Sequence, residues 1–235
     1  MLVKTKAIVI SALKFQEKSL IVKCFTQTDG VKSYFVRDAF SHRKNNQKIA
    51  YFQPLTLLEV DAVHKNKGTL ETFREIRLSS AYLTVNTDIV KSTIAMFLSE
   101  VLHHSIREEE NNSGLFEFLE SALLWFDAHE RTPDFHLILM LEITRYFGFY
   151  PAQGSVGDYF EMIEGTFSPD FALTCLTAED TALLKRLLSV RFNDATGFNS
   201  IQRQSLLNIL IDYYSFHLDG FKRPKSLDVL KAVFS

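Results

Sequence analysis

Between Lys32 and Tyr51 the chain interleaves five cations with four aromatic rings. Lys32, Arg37, Arg43, Lys44 and Lys48 alternate with Tyr34, Phe35, Phe40 and Tyr51. Lysine and arginine neutralise phosphates and release their counterions, and an aromatic ring gives any base a face to stack on. Together they are the chemistry of a groove for single-stranded nucleic acid. On extended backbone Lys32 and Tyr34 share one face, while Phe35 and Arg37 share the other. One face must fill an interior, so at most one of Tyr34 and Phe35 can offer its ring to a base. A solvated basic loop laid over core aromatics accounts for the same residues. A second basic cluster, His64-Lys65-Asn66-Lys67, occupies a turn and adds Lys65 and Lys67 to the candidate contacts.

Charge is distributed unevenly over the 235 residues. Residues 1–80 carry 14 Lys/Arg against 7 Asp/Glu, and the remainder carries 12 against 21, although the net formal charge is only -2. The basic part suits a polyanion and the acidic part a different partner. Other chemistries lack their residues. No glycine-rich nucleotide loop, nucleophile elbow or H-E-x-x-H pattern occurs. Gly154-Ser155-Val156-Gly157 lacks the lysine and the helix that a phosphate cradle needs. His103 and His104 are adjacent on a helical pattern and point about 100° apart, which makes a poor chelating pair. His129 and His136 have no third ligand nearby in sequence. Cys24 and Cys175 are too few for a disulfide framework or a zinc site, and this usage fits a reducing cytoplasm. No cleavable leader or apolar run of membrane-spanning length is read. An enzyme, a cofactor and a bound metal are therefore not expected.

Five short strand patterns must position the basic residues: Lys6–Lys14, Leu20–Thr26, Val31–Ala39, Leu55–His64 and Thr69–Arg77. Asp29-Gly30 marks a tight turn between the second and third, and 40–50 is a polar, basic loop with room for a helical turn. Such economy suits a five-stranded OB-fold barrel, and an SH3-like barrel satisfies the same pattern. After Ser80 the apolar period changes from two to about 3.6. Helices are predicted from Ile89 to Leu102 with Asp88 as cap, from Leu115 to His129, from Phe135 to Phe147 after Thr132-Pro133, from Leu183 to Val190 after Thr177, beyond Asn199, and after Pro224. Residues 152–176 read as loop with strand-like pieces around Phe160 and Phe171. The expectation is an α+β chain: an OB-fold nucleic-acid-binding domain over 1–80 and an all-α partner-binding domain over 81–235.

Several of these segments resemble the RecO family of recombination mediators. Lys6–Ile10 followed by Glu17-Lys18-Ser19-Leu20-Ile21-Val22 is similar to its opening hairpin. Phe25-Thr26 leading to Gly30 is similar to an F-T-x-x-x-G turn, and Val36-Arg37-Asp38-Ala39 with Arg43-Lys44 to the basic stretch after strand three. Gln53-Pro54, with Leu58-Glu59 behind it, resembles a Q-P-x-x-x-L-E signature, and Gly148 to Pro151 a G-x-x-P helix end. The resemblance implies a non-enzymatic DNA repair and recombination protein, cytoplasmic and nucleoid-associated. Such a protein binds single- and double-stranded DNA and anneals complementary strands. It also implies contacts with RecR and with the acidic tail of single-stranded-DNA-binding protein, to help load recombinase. Arg37, Arg43 and Lys44 are then the leading DNA contacts. Many members carry a four-cysteine zinc module after the G-x-x-P element. Residues 152–174 here have no cysteine, so the equivalent region is expected to be held without zinc by Tyr159, Phe160, Phe167 and Phe171. A protein-interaction adaptor, with a barrel that binds protein instead of DNA, remains the alternative.

Overall fold

The computed structural model describes residues 1–40, 47–65, 69–106, 111–130, 132–152, 156–194 and 197–234, with the backbone alone at 47 and 48. Arg43, Lys44 and Lys67 lie outside the described residues. Two compact units emerge: residues 1–129 with 224–226, and residues 130–223 with 227–235. The first unit thus continues past the change of periodicity near residue 80 and takes in two helices.

The barrel comprises β1 (Leu2–Phe15), β2 (Ser19–Thr26), β3 (Gly30–Val36), β4 (Leu57–Val63) and β5 (Thr72–Leu78), with a single helical turn α1 (Gln47–Ala50) between β3 and β4. All sheet pairs are antiparallel, in the order β3-β2-β1-β4-β5. β1 serves both neighbours: Leu2 to Ile8 pair with β4, Ala7 to Phe15 with β2, and the register shifts between Val9 and Ser11. A long strand with an irregularity at mid-length can curl from one side of a barrel to the other. The sheet closes on itself where β3 runs parallel to the start of β5. The Phe35 amide donates to the Glu71 carbonyl at 2.9 Å, and the Glu71 amide to the Ser33 carbonyl at 2.8 Å. A five-stranded sheet in which β1 pairs antiparallel with both β2 and β4, closed by a parallel β3–β5 contact, is the Greek-key arrangement of the OB-fold.

The barrel interior holds Ala7, Val9, Val22, Cys24, Tyr34, Phe52, Leu58 and Val60, among others. Several distinctive short motifs are folding devices. The Thr26 hydroxyl donates to the Gly30 carbonyl at 2.7 Å and accepts the Asp29 amide at 3.0 Å, with Gly30 at φ +63°. That explains a threonine and a glycine four residues apart. Leu55, after Gln53-Pro54, sits at φ +60°, where a branched side chain is strained. Its amide donates to Val9 and its carbonyl accepts the Tyr82 hydroxyl, so the strain is held in place from both sides.

Helices α2 (Ile89–Ser105) and α3 (Ser113–Ala128) complete the first unit. Asp88 caps α2 by accepting the amides of Val90 and Lys91, as the sequence predicts. The outer face of the barrel meets these helices: Phe25 lies against Phe116 with ring centroids 5.7 Å apart, and Lys6 pairs with Glu120 at 2.8 Å. The chain between barrel and helices is clamped by Asp127. Its carboxylate accepts the amides of Leu83, Thr84 and Val85 and the Thr84 hydroxyl. Beside it the buried Lys91 ammonium donates to the Thr84 hydroxyl and to the carbonyls of Phe126 and Asp127, at the end of α3.

The second unit contains α4 (Phe135–Phe147), a two-stranded hairpin of β6 (Tyr159–Glu161) and β7 (Thr166–Ser168), α5 (Ala178–Ser189), α6 (Ser200–His217) and α7 (Leu227–Val233). Asn199 and Gln202 form a capping box, and Thr177 caps α5. The expected cap at Thr132 is corrected: Asp134 holds that position with no side-chain cap bond, because its carboxylate pairs with Arg203 at 2.7 Å instead. Gly148 ends α4 at φ +82°. The second strand of the hairpin centres on Phe167, not Phe171, which is exposed. Phe160 is enclosed by Phe167 and Tyr213, its amide donates to Thr181, and Glu161 bridges to Cys175 as a third short rung. Among the described residues no cluster of three or more His, Cys, Asp or Glu could hold a metal ion, and no helix is long and apolar enough to cross a membrane.

Candidate nucleic-acid interface

Strand parity decides which aromatic of β3 is available. Tyr34 points inward, is fully enclosed, stacks on Phe73 at 4.0 Å and shares a 2.8 Å hydrogen bond with His64 Nε2. It therefore leaves the set of base-contacting candidates, because no base can reach its ring. Burial, and then the negative charge on nearby acidic groups, also pushes its phenol far up, so it stays neutral. Phe35 points outward and is half-buried.

Register places Leu13, Ile21 and Phe35 side by side across β1, β2 and β3. Phe15 extends this row and meets Phe35 edge to face at 6.1 Å. Leu13 is 63% exposed and Phe15 40%. Two depressions flank the row. One of about 510 Å³ lies at the β1–β2 turn, with Lys18 and Arg37 on its wall. The other, about 570 Å³, follows the β3–β5 closure, with Arg37 and Arg74 on its wall. Both are lined by Phe35 and Arg37, so they form one continuous track with an aromatic ring and a guanidinium at its middle. Among the described residues Lys18, Arg37 and Arg74 make no ion pair, whereas Lys4, Lys6 and Arg77 are matched by Asp61, Glu120 and Glu75.

The other sequence candidates fall in different places. Lys32 shares Tyr34's side of the strand and is half-buried, so parity separates it from Arg37. Lys65 is exposed just beyond β4, its amide donating to the Glu71 carboxylate at 2.8 Å. Lys48 lies on α1. Phe15, Lys18 and Arg74 were not among the sequence candidates. Lys18 is recognisable in the opening turn, but Arg74 reaches the track only through β3–β5 closure, which no local pattern announces. Cys24 is sealed in the barrel and burial pushes its thiol far up, so it is unavailable as a nucleophile.

A closed five-stranded barrel of this topology, joined to helices, defines an OB-fold protein. Family profiles place it further. The profile described as Recombination protein O N terminal matches residues 1–82, and that described as Recombination protein O C terminal matches residues 86–228. Over the full length of both chains, the sequence is 60% identical to DNA repair protein RecO of Flavobacterium psychrophilum and 62% identical to that of Flavobacterium johnsoniae. It is 34% identical to that of Bacteroides fragilis, again over the whole of both chains. The chain belongs to the Recombination protein O family.

Proposed function

We propose that this protein acts in DNA repair and recombination as a mediator that binds single- and double-stranded DNA and anneals complementary strands. The observation that carries the reading is the continuous track with Phe35 and Arg37 at its centre. A base stacks on Phe35, and phosphates meet Arg37, Lys18 and Arg74. Lys32 and Lys65 add cations on the barrel, and Arg43, Lys44, Lys48 and Lys67 are further candidate phosphate contacts by residue type and sequence position. Annealing needs no nucleophile or general acid, only charge neutralisation that lets two polyanions approach, so the activity is non-enzymatic. In this reading the helical part receives RecR and the acidic tail of single-stranded-DNA-binding protein, and the protein helps load recombinase on coated strands in the cytoplasm.

Fluorescence anisotropy with a labelled single-stranded oligonucleotide at a series of salt concentrations tests the proposal. Each phosphate contact on a single strand contributes about 0.7 to the slope of log affinity against log salt, so R37A/R43A/K44A lowers the slope by about 2. Phe35→Ala weakens single-strand binding by about 1–3 kcal/mol with the salt slope unchanged. A folded triple variant with wild-type affinity and slope refutes the assignment. One observation favours a second reading: Leu13 and Phe15 are apolar and exposed, and would also suit a protein ligand on the barrel. Pull-down after nuclease treatment, beside direct DNA titration, separates the two.

A further inference from the structure

The hairpin region of the second unit carries a surface opposite in sign to the barrel track. Residues 146–184 contain six acidic residues, Asp158, Glu161, Glu164, Asp170, Glu179 and Asp180, and no lysine or arginine; one cation, Lys185, reaches the hairpin, where its ammonium donates to the Gly157 carbonyl at 2.6 Å and lies over the Phe167 ring. Asp158, Glu164 and Asp170 are exposed and, among the described residues, make no ion pair. Apolar side chains stand among them. Leu173 is 99% exposed and Phe171 59%. Ile163, in the β6–β7 turn, is also exposed at 48%.

These side chains project from a rigid base. Tyr213 donates to the Phe149 carbonyl at 2.7 Å, and His217 stacks on Phe149 at 4.9 Å while its Nε2 meets the Met162 carbonyl at 3.0 Å. An ordered, apolar and acidic knob loses little conformational freedom on docking, which makes it a better ligand than a floppy loop of the same composition. Isolated exposed apolar residues are ordinary, but a fixed group of them inside a predominantly acidic field is a recognition surface.

The complementary surface is on the same chain: the row of Leu13, Phe15, Ile21 and Phe35 bordered by Lys18, Arg37 and Arg74, which make no ion pair among the described residues. We infer that the β6–β7 hairpin of one molecule docks on the barrel track of a second copy, apolar against apolar and carboxylate against cation. The contact joins two different surfaces, so each association leaves one free barrel and one free hairpin. Such head-to-tail contacts extend into open chains or close into rings. Both patches are small, which places the contact among weak, transient interfaces. It also covers the surface assigned above to DNA, so an oligonucleotide and a second copy exclude each other. Self-association would then store the free protein in a form that the polyanion disperses.

Sedimentation velocity on the full chain over a range of protein concentrations tests this. At about 10 mM salt, where charges interact over about 30 Å, the weight-average mass rises with concentration. At about 0.1 M salt the association constant falls at least about tenfold, as expected when that range shrinks to about 10 Å. L173S/E164K alters two exposed side chains outside the barrel and reduces association about tenfold or more. Its oligonucleotide affinity, measured at a protein concentration where wild type is monomeric, stays within about twofold of wild type. A saturating single-stranded oligonucleotide returns wild type to monomers. A monomer at every concentration in low salt overturns the inference. So does an association that L173S/E164K leaves intact, or one that persists when oligonucleotide is bound. If the chain binds no oligonucleotide, the DNA proposal fails by that result alone, while salt dependence and L173S/E164K still decide self-association.

Discussion

Replacing Asp127 by alanine removes the acceptor for three consecutive amides and one hydroxyl. The donors differ in what happens next. Leu83 is exposed and Thr84 half-buried, so water can replace the carboxylate there at a cost of about 0.5–1 kcal/mol each. Val85 is buried, and its orphaned amide costs about 1–3 kcal/mol. Lys91, only 3% exposed, also loses the carboxylate that shares the Thr84 hydroxyl with its ammonium. The amide terms sum to a destabilisation of about 2–5 kcal/mol, large against ordinary domain stability. Urea unfolding followed by Trp125, the single tryptophan and two residues from the site, reads this unit. With a slope of about 2 kcal/mol/M the midpoint falls by about 2 M.

The pH dependence has a definite sign. Burial alone would raise the Asp127 carboxyl, but the amides of Leu83, Thr84 and Val85 and the Thr84 hydroxyl outweigh it and hold the group below its ordinary range. Folded and unfolded states thus differ in proton affinity, with the unfolded state binding first. The contribution is complete above the ordinary carboxylate pKa and is lost as pH falls through the lower folded value. Asp127→Asn should flatten that part of the profile. A midpoint shift under about 0.5 M for Asp127→Ala would refute the assigned energetics, since it is smaller than one orphaned buried amide predicts.

Three further outcomes are expected. Tyr34→Phe leaves His64 Nε2 without its 2.8 Å partner inside the barrel and lowers stability by about 1–3 kcal/mol, while DNA affinity per folded molecule, measured by anisotropy, is unchanged. Gly165→Ala combines φ +68° with a new methyl carbon 2.5 Å from the Tyr213 hydroxyl, and should destabilise the second unit by about 1–3 kcal/mol in hydrogen exchange. His136 is fully enclosed; burial, aided by repulsion from Arg203, lowers its pKa to about 3. Its neutral folded form contributes stability above the unfolded pKa of about 6.5, lost progressively toward pH 3 at up to about 1.4 kcal/mol per pH unit. Chemical denaturation at pH 7 and pH 5 should show that loss in wild type and not in a folded His136→Gln variant.

The elements were legible because each carries a local physical signal. Alternating apolar residues drew all five strands, and Asp88, Thr177 and Asn199 marked helix starts because a short polar side chain is needed there to accept a free amide. Thr132 misled because a capping residue can be outcompeted by a carboxylate with a tertiary partner. The site was half legible. Parity restricted β3 to one exposed ring, yet choosing between Tyr34 and Phe35 required knowing which side β5 would close against. Arg74 is 37 residues from Arg37 and joins it only through that closure. The short motifs that carry the family resemblance around Thr26, Gly30 and Leu55 hold turns, and mark the family by its folding requirements more than by its ligand contacts.

Closure of the barrel rests on two rungs, between Phe35, Ser33 and Glu71, where the other neighbouring strands share whole ladders. A cylinder with one lightly stitched side opens there first, so amide exchange at Phe35 and Glu71 should outpace that of the interior strands. A strand of DNA lying along the track would span this stitching and contact both banks. Occupancy would then tighten the cylinder by the ordinary linkage between binding and folding, and anything that loosened the stitching would weaken the grip.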